Sequence, residues 1–266
     1  MSNPFVSTPE DIAKIHNTMS PMKFSVNCIG VEFETEKDFL REVLPPCFDM
    51  PDEPTVSVAI GKWRTYTGEH DLSIVNVSCK YNGIAGVKSL AQYLDEVDVP
   101  ILFGREAWGE GKMRAKSEIY LCGPDLYAFT RHNGTRIIEI EAEITKDIGP
   151  FTEENDGFEI CAEMDPYASN LRDQPKILHK HFKVNRLVFK EGTGKLTFRG
   201  TPFDYLDYIP ILKIKRATYS EYQIFSSISS FETLGGNKED YVPYIFGQKY
   251  NKFDGYSTDV KALTRF

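Results

Sequence analysis

The sequence predicts a mainly β (α+β) protein: curved antiparallel sheet with a few short helices. Three observations carry this reading. Apolar and polar residues alternate with a period of two over most of the legible segments. Asn133-Gly134 joins two such segments in the manner of a tight hairpin. No regular alternation of strand and helix patterns appears, which argues against a doubly wound parallel fold.

The first element is a short helix, with Thr8 as N-cap, Pro9 at the first helical position and the acids Glu10 and Asp11 in the first turn. A second helix runs from Glu36 to about Val43, capped by Thr35 and stopped by Pro45-Pro46. Strands follow at Pro54–Ile60, with Val56, Val58 and Ile60 on one face, and at Ser73–Tyr81. The segment Val99–Lys112 reads as a strand entering a glycine-bracketed turn, followed by a lysine. Leu126–Arg131 and Thr135–Ile144 form the hairpin across Asn133-Gly134, a pair suited to two positive φ angles. Its second strand sets Ile138, Ile140, Ala142 and Ile144 against water-facing Glu139, Glu141 and Glu143. Phe182–Phe189 and Lys195–Arg199 suggest a further hairpin across Glu191-Gly192-Thr193-Gly194. Thr201-Pro202-Phe203-Asp204 starts a short helix ended by Pro210, and a last strand lies around Ile211–Ala217. Ser220-x-x-Gln223 opens a helix through Ser229, with Tyr222, Phe225 and Ile228 on one stripe. The tail beyond it, with Tyr241, Tyr244, Phe246, Tyr250, Phe253 and Tyr256, is too aromatic to hang free. Without repeats or a linker, residues 1–266 are expected to form one domain.

The 266 residues include 31 Lys and Arg against 39 Asp and Glu, a net charge of −8, and 41% are apolar. That composition supports a core and argues against disorder and against nucleic-acid binding that rests on neutralising phosphates. The sequence lacks an apolar run long enough to span a membrane and the pattern of a signal peptide, so a cytoplasmic location is expected. Residues 137–173 carry 11 acids against 2 bases, and residues 175–217 carry 10 bases against 3 acids. Solvated strand faces explain such runs, and contact between subunits is the alternative. Five scattered cysteines offer neither a disulfide framework nor a zinc site. His179 and His181 share a strand face, but acidic partners at ligand spacing are missing and the flanking lysines repel a cation.

Chemistry is concentrated in one stretch. Gly109-Glu110-Gly111-Lys112 lacks the glycine and the Ser or Thr of a phosphate loop, and neither a serine-hydrolase elbow nor a dinucleotide fingerprint occurs. What stands out is Gly104-Arg105-Glu106, then Trp108 and Gly109, then Lys112. With Tyr81-Asn82-Gly83 upstream and Gly192–Leu196 and Thr201–Leu212 downstream, this segment resembles the acetoacetate decarboxylase family over roughly residues 20–217. The resemblance implies a closed antiparallel barrel around an apolar cavity, a homo-oligomer, and imine chemistry on a small keto substrate without metal or organic cofactor. It puts Lys112 at the Schiff-base position, and burial of an amine is the physical route to its nucleophilic form.

Three positions depart from the family. Met113 stands where a second lysine follows the nucleophile, removing the adjacent cation. Asn27 stands in place of an arginine, and Ala59 in place of a glutamate. A proton-transfer role then falls to Asp71 or Glu69, with Arg105, Glu106, Trp108, Met113, Trp63 and Asn27 as candidate substrate contacts. The resulting expectation is a lyase acting on a fairly apolar β-keto compound by decarboxylation or aldol-type C–C chemistry. Aldolase–dehydratase or cyclase activity and a non-catalytic ligand-binding barrel are the alternatives.

Overall fold

A computed structural model describes residues 5–19, 21–66, 68–95 and 98–249. Its strands are β1 (Met22–Glu34), β2 (Thr55–Thr65), β3 (Gly68–Tyr81), β4 (Ile84–Leu94), β5 (Lys112–Arg114), β6 (Lys116–Cys122), β7 (Asp125–His132), β8 (Thr135–Asp147), β9 (Phe151–Cys161), β10 (Lys176–Phe198) and β11 (Lys213–Thr233). The helices are α1 (Pro9–Met19), α2 (Lys37–Val43), α3 (Asp98–Trp108) and α4 (Val242–Lys249).

All the strands belong to one sheet. Pairings run β11-β1-β2-β3-β4-β9-β10, and β10 pairs again with β11, so this part of the sheet closes on itself. Strands β8, β7 and β6 continue from β10 as a flap. Most pairs are antiparallel, as expected, but β4 runs parallel to both β5 and β9. The main core is the apolar side of this curved sheet, including Ile29, Phe33, Ile60, Val75, Ile138 and Phe158.

The expected hairpin forms, with Asn133 and Gly134 at φ 46° and 86°. Thr8 caps α1 by accepting from Asp11 N at 3.2 Å. The second helix begins at Lys37 with Glu36 in the N-cap position, and the Thr35 hydroxyl instead donates to Pro210 O at 2.8 Å.

Three local expectations are corrected. Val99–Leu102 is not a strand but the start of α3, with Pro100 in its first turn, where a missing N–H costs nothing. The stretch through Gly192-Thr193-Gly194 is not a turn, and β10 runs unbroken for 23 residues. A side chain at Gly192 would lie 1.9 Å from Glu143 O, and one at Gly194 would lie 2.7 Å from Ala217 Cβ, so these glycines serve close strand contact. Ser220–Ser229 is not a helix but the middle of β11. Ser220, Tyr222, Ile224 and Ser226 are all buried, a period of two that the Tyr222-Phe225-Ile228 stripe obscures. Further on, Thr201 and Asp204 close a turn before a single 3-10 turn at Leu206–Tyr208, so the helix expected there is reduced to that turn. Of the aromatic tail, Tyr241 is buried in the main core beside Ile245 of α4, whereas Tyr250, Phe253 and Tyr256 lie outside the described residues.

The two charge runs meet within the sheet. Arg199 pairs with Glu139 at 2.7 Å, Lys195 with Glu141 at 3.6 Å and Arg186 with Glu153 at 2.7 Å. The basic run is largely β10 and the acidic run is β8 and β9 on its flanks, so the complementarity is met inside one chain.

Gly192→Ala is expected to lower the unfolding free energy by roughly 1–3 kcal/mol, because the strand must move off Glu143. Denaturant unfolding measures this, and an unchanged midpoint would show that the contact is not needed.

Candidate active site

The closed part of the sheet surrounds a cavity of about 640 Å³. Its wall mixes aromatic groups such as Phe24, Trp63, Trp108 and Phe182 with the polar Ser89 and Gln92. Strand alternation decides which residues face it. On β3, His70 and Leu72 line the cavity and their neighbours Glu69 and Asp71 do not.

Lys112 is brought to the cavity by the turn after α3. Gly109 adopts φ +70°, and a side chain there would collide with Ile160 O at 2.0 Å, so glycine lets the chain turn against β9. Glu110 N then donates to Gly104 O at 3.0 Å, and Lys112 enters β5 opposite Gln92 of β4. Gly104 provides the space for the lysine, since a Cβ added there would sit 2.5 Å from Lys112 Nζ.

Three amines meet two carboxyl groups around this point. Lys112 Nζ lies 2.7 Å from Glu110 Oε2, and Lys180 Nζ lies 2.6 Å from Glu110 Oε1. Lys180 also approaches Glu159 Oε1 at 4.0 Å, and Lys88 Nζ reaches Glu159 Oε2 at 3.4 Å. Glu159 Oε1 accepts from Ser89 N, and Lys88 donates to Ser89 O. The Gln248 amide of α4, oriented to suit its neighbours, accepts from Lys88 at 2.5 Å and donates to Gly109 O at 3.2 Å. Lys180 additionally stands over the Trp108 ring, 5.3 Å from its centroid. Lys112 is the most accessible of the amines, with 12% of its side chain exposed against 7% for Lys180 and 3% for Lys88.

The two carboxyls are pushed apart. Burial alone would raise Glu110, but Lys112 and Lys180 outweigh it and hold the carboxyl below the usual range. Burial dominates at Glu159 and leaves it raised, despite Lys88 and Lys180. Burial opposes the Lys180 ammonium, yet Glu110 and Glu159 more than compensate and raise it. Such a divided pair of acids is the arrangement that acid–base chemistry uses.

The candidates read from sequence are only partly assembled. Lys112, Trp108 and Trp63 line the cavity. Glu69 and Asp71 face outward and pair with Arg64 and Lys62 at 2.7 and 3.1 Å, so they do not meet Lys112. Burial raises Asp71, with Lys62 opposing it. Asn27 accepts from Arg64 at 2.7 Å and is not part of the wall, while Ala59 is. Arg105 and Glu106, on α3, are half-buried and exposed respectively, and neither lines the cavity. Met113 packs against the main core. The cation expected to be missing with Met113 is present after all, delivered by Lys180 from β10. His179 and His181 both turn to Asp156, at 2.7 and 3.3 Å, and the lysine between them points the opposite way, into the cavity. Among the described residues no cluster of His, Cys, Asp and Glu could hold a metal ion. Sequence reasoning missed Glu110, Glu159 and Lys180; the one available signal was the His-Lys-His alternation, which puts Lys180 on the face opposite the histidines.

Glu110→Gln leaves two buried amines without their shared anion and is expected to cost roughly 3–5 kcal/mol at neutral pH. Glu159→Gln keeps an acceptor for Ser89 N and is expected to cost much less. Because Glu110 is depressed in the folded protein, its contribution is present above the ordinary glutamate value and is lost as pH falls through the folded one. Glu159 has the opposite sign: its ionisation erodes stability as pH rises from the ordinary value through the raised one. Unfolding measured against pH should therefore lose part of its acid limb in Glu110→Gln, and equal costs for the two variants would contradict this division.

The acetoacetate decarboxylase family model matches residues 3–225. Acetoacetate decarboxylases of Burkholderia ambifaria and Burkholderia cenocepacia are each 34% identical over 117 residues, which is 43% of this chain and 44% of theirs, so the match spans less than half of those relatives. A solved acetoacetate decarboxylase from Legionella pneumophila superposes with a TM-score of 0.70 at 17% identity, covering 81% of this chain and 88% of its own. The enduracididine biosynthesis enzyme MppR, complexed with the condensation product of pyruvate and imidazole 4-carboxaldehyde, gives 0.65 at 16% identity, covering 83% and 90%. An acetoacetate decarboxylase-like enzyme from Sphingomonas wittichii gives 0.65 at 12%, covering 88% and 99%. At these identities the structural likeness speaks for the fold alone; the family match, with the closed sheet around Lys112, says that the chain belongs to the acetoacetate decarboxylase family.

Proposed function

We propose that this protein is a cofactor-independent lyase that acts on a keto compound through an imine on Lys112. The observation that carries the reading is that Lys112, the most accessible amine of the cluster, faces the cavity beside a carboxylate that a second lysine also claims. An ordinary lysine is almost wholly protonated near neutral pH and is no nucleophile. Here Lys180 binds the other oxygen of Glu110 and weakens the hold of that carboxylate on the Lys112 ammonium, whose proton leaves to water. The free amine adds to the ketone, and the carbinolamine loses water to give a protonated imine. That cation accepts the electron pair of a neighbouring C–C bond as carbon dioxide or an aldehyde departs. Protonation of the enamine and attack by water then release the product and restore Lys112. Glu159, held toward its neutral form on the same wall, is a second acid for these proton transfers.

The aromatic lining favours a fairly apolar substrate, and Lys112 is the group by which its ketone is held. The Lys112–Glu110 ion pair favours one rival, a barrel that binds a ligand with Lys112 as a fixed ammonium ion. Borohydride trapping separates the two. With a panel of β-keto acids, pyruvate and larger ketones, reduction should attach one ketone to Lys112, found by peptide mass spectrometry, and Lys112→Ala should abolish the adduct. Adducts spread over surface lysines, or none at all, would favour the rival.

Lys180→Met removes a nearby cation and gives Glu110 wholly to Lys112, and both effects favour the ammonium. The yield of Lys112 adduct at neutral pH is therefore expected to fall severalfold. An unchanged yield would remove Lys180 from the mechanism.

A further inference from the structure

Away from the lysine–carboxylate cluster, the same cavity contains a second polar feature. Trp63 of β2 and His70 of β3 are direct cross-strand partners near the end of the β2–β3 hairpin, and both side chains line the cavity. Trp63 Nε1 and His70 Nδ1 are buried, and neither meets a hydrogen-bond partner of good geometry among the described residues, although the backbone of Gly68 approaches the imidazole. His70 as a whole is only 5% exposed. Trp63 sits among apolar groups, edge-on to Phe24 at 6.0 Å and packed with Leu72, Leu94 and Ile101, whereas Asp95, Lys112 and Asp71 lie within electrostatic reach of His70.

Leaving a buried polar group unpaired costs about 1–3 kcal/mol, so one such atom is unusual and two on facing positions of one wall need a common explanation. The indole N–H can only donate. Burial, opposed by Asp95 and assisted by Lys112, keeps His70 below the usual imidazole value, hence neutral at physiological pH, with one ring nitrogen donating and the other accepting. A group that satisfies both atoms must accept from Trp63 and either donate to or accept from His70. An oxygen does this, as a hydroxyl in the first case or a carbonyl in the second, whereas a methylene satisfies neither.

We propose that Trp63 Nε1 and His70 Nδ1 form a recognition subsite for a second oxygen of the substrate, so that the preferred ligand is an oxygenated ketone, such as a hydroxyketone or a diketone. The proposal rests on the imine reading only in calling the first group a ketone. Its selectivity comes from the unpaired atoms: a ligand without the oxygen leaves them buried and unsatisfied, and a site built to bond an oxygen rejects its deoxy analogue for that reason.

The test uses the full chain carrying Lys112→Met, which binds without reacting, and calorimetry with three ligands of one skeleton: benzylacetone, its β-hydroxy derivative and benzoylacetone. At least one oxygenated ligand should bind roughly 5- to 150-fold tighter than benzylacetone, the fold-change that about 1–3 kcal/mol represents. Adding Trp63→Phe, which keeps a ring against Phe24, or His70→Leu should abolish most of the preference, and His70→Asn, whose amide places a polar atom near the Nδ1 position, should restore part of it. Equal affinity for all three ligands, or a preference that survives both Trp63→Phe and His70→Leu, would overturn the subsite. Because Lys112 is absent from this experiment, its outcome is independent of whether borohydride traps an imine.

Discussion

The site depends on one buried carboxylate shared by two lysines. Glu110 has 6% of its side chain exposed, and an ion taken so far out of water needs close partners. Lys112 supplies one from β5 and Lys180 supplies the other from β10, so a single side chain ties the turn after α3 to β10, across β9 from β4. The surrounding backbone serves this contact. Gly109 turns the chain where any side chain would strike Ile160, and Gly104 leaves the volume that Lys112 occupies. The glycine that opens the Gly-Arg-Glu motif is thus explained by the lysine eight residues later, not by the arginine and glutamate beside it.

The same interaction bears on reactivity. An amine paired exclusively with a carboxylate in a cavity of low polarity would be held as ammonium. Sharing changes that balance, because each lysine weakens the attraction of Glu110 for the other. Glu159 extends the arrangement to Lys88, and Gln248 links Lys88 to the turn at Gly109, so α4 supports the cluster from behind. In this chain the cation near Lys112 comes from a distant strand, and Met113, the next residue along, has become part of the core. A gap in a sequence motif was filled in three dimensions.

Much of the fold was legible because strand alternation and turn chemistry are local. The Asn133-Gly134 hairpin needs only its own residues, and β8 announces its two faces through Ile138 to Ile144. Where the reading failed, the deciding contact was remote. Gly192 and Gly194 look like turn residues until Glu143 and Ala217 are brought against them, and the stripe from Tyr222 to Ile228 looks helical until β1 and β10 pair on either side. The acids failed for a subtler reason. On β3 the sequence offers Glu69, His70, Asp71 and Leu72 in succession, and alternation allows only one pair to face inward. Which pair it is depends on register with β2 and β4, and no single-strand pattern contains that information.

Parity also accounts for what the cavity holds in place of the expected acids. The face of β3 that turned Asp71 and Glu69 outward, to Lys62 and Arg64, turned His70 inward beside Trp63. On β10 the same rule turned His179 and His181 toward Asp156 and Lys180 toward Glu110. The histidines that looked like metal ligands became partners of Asp156, with His179 packed against Phe158, and the lysine that looked like their electrostatic obstacle became the buried partner of Glu110. Alternation on these two strands therefore gives the cavity an imidazole at one point and a shared carboxylate at another. A one-residue shift of either strand would reverse its own faces, which is why the closed pairing of the sheet, more than any motif along the chain, determines the chemistry that this cavity presents.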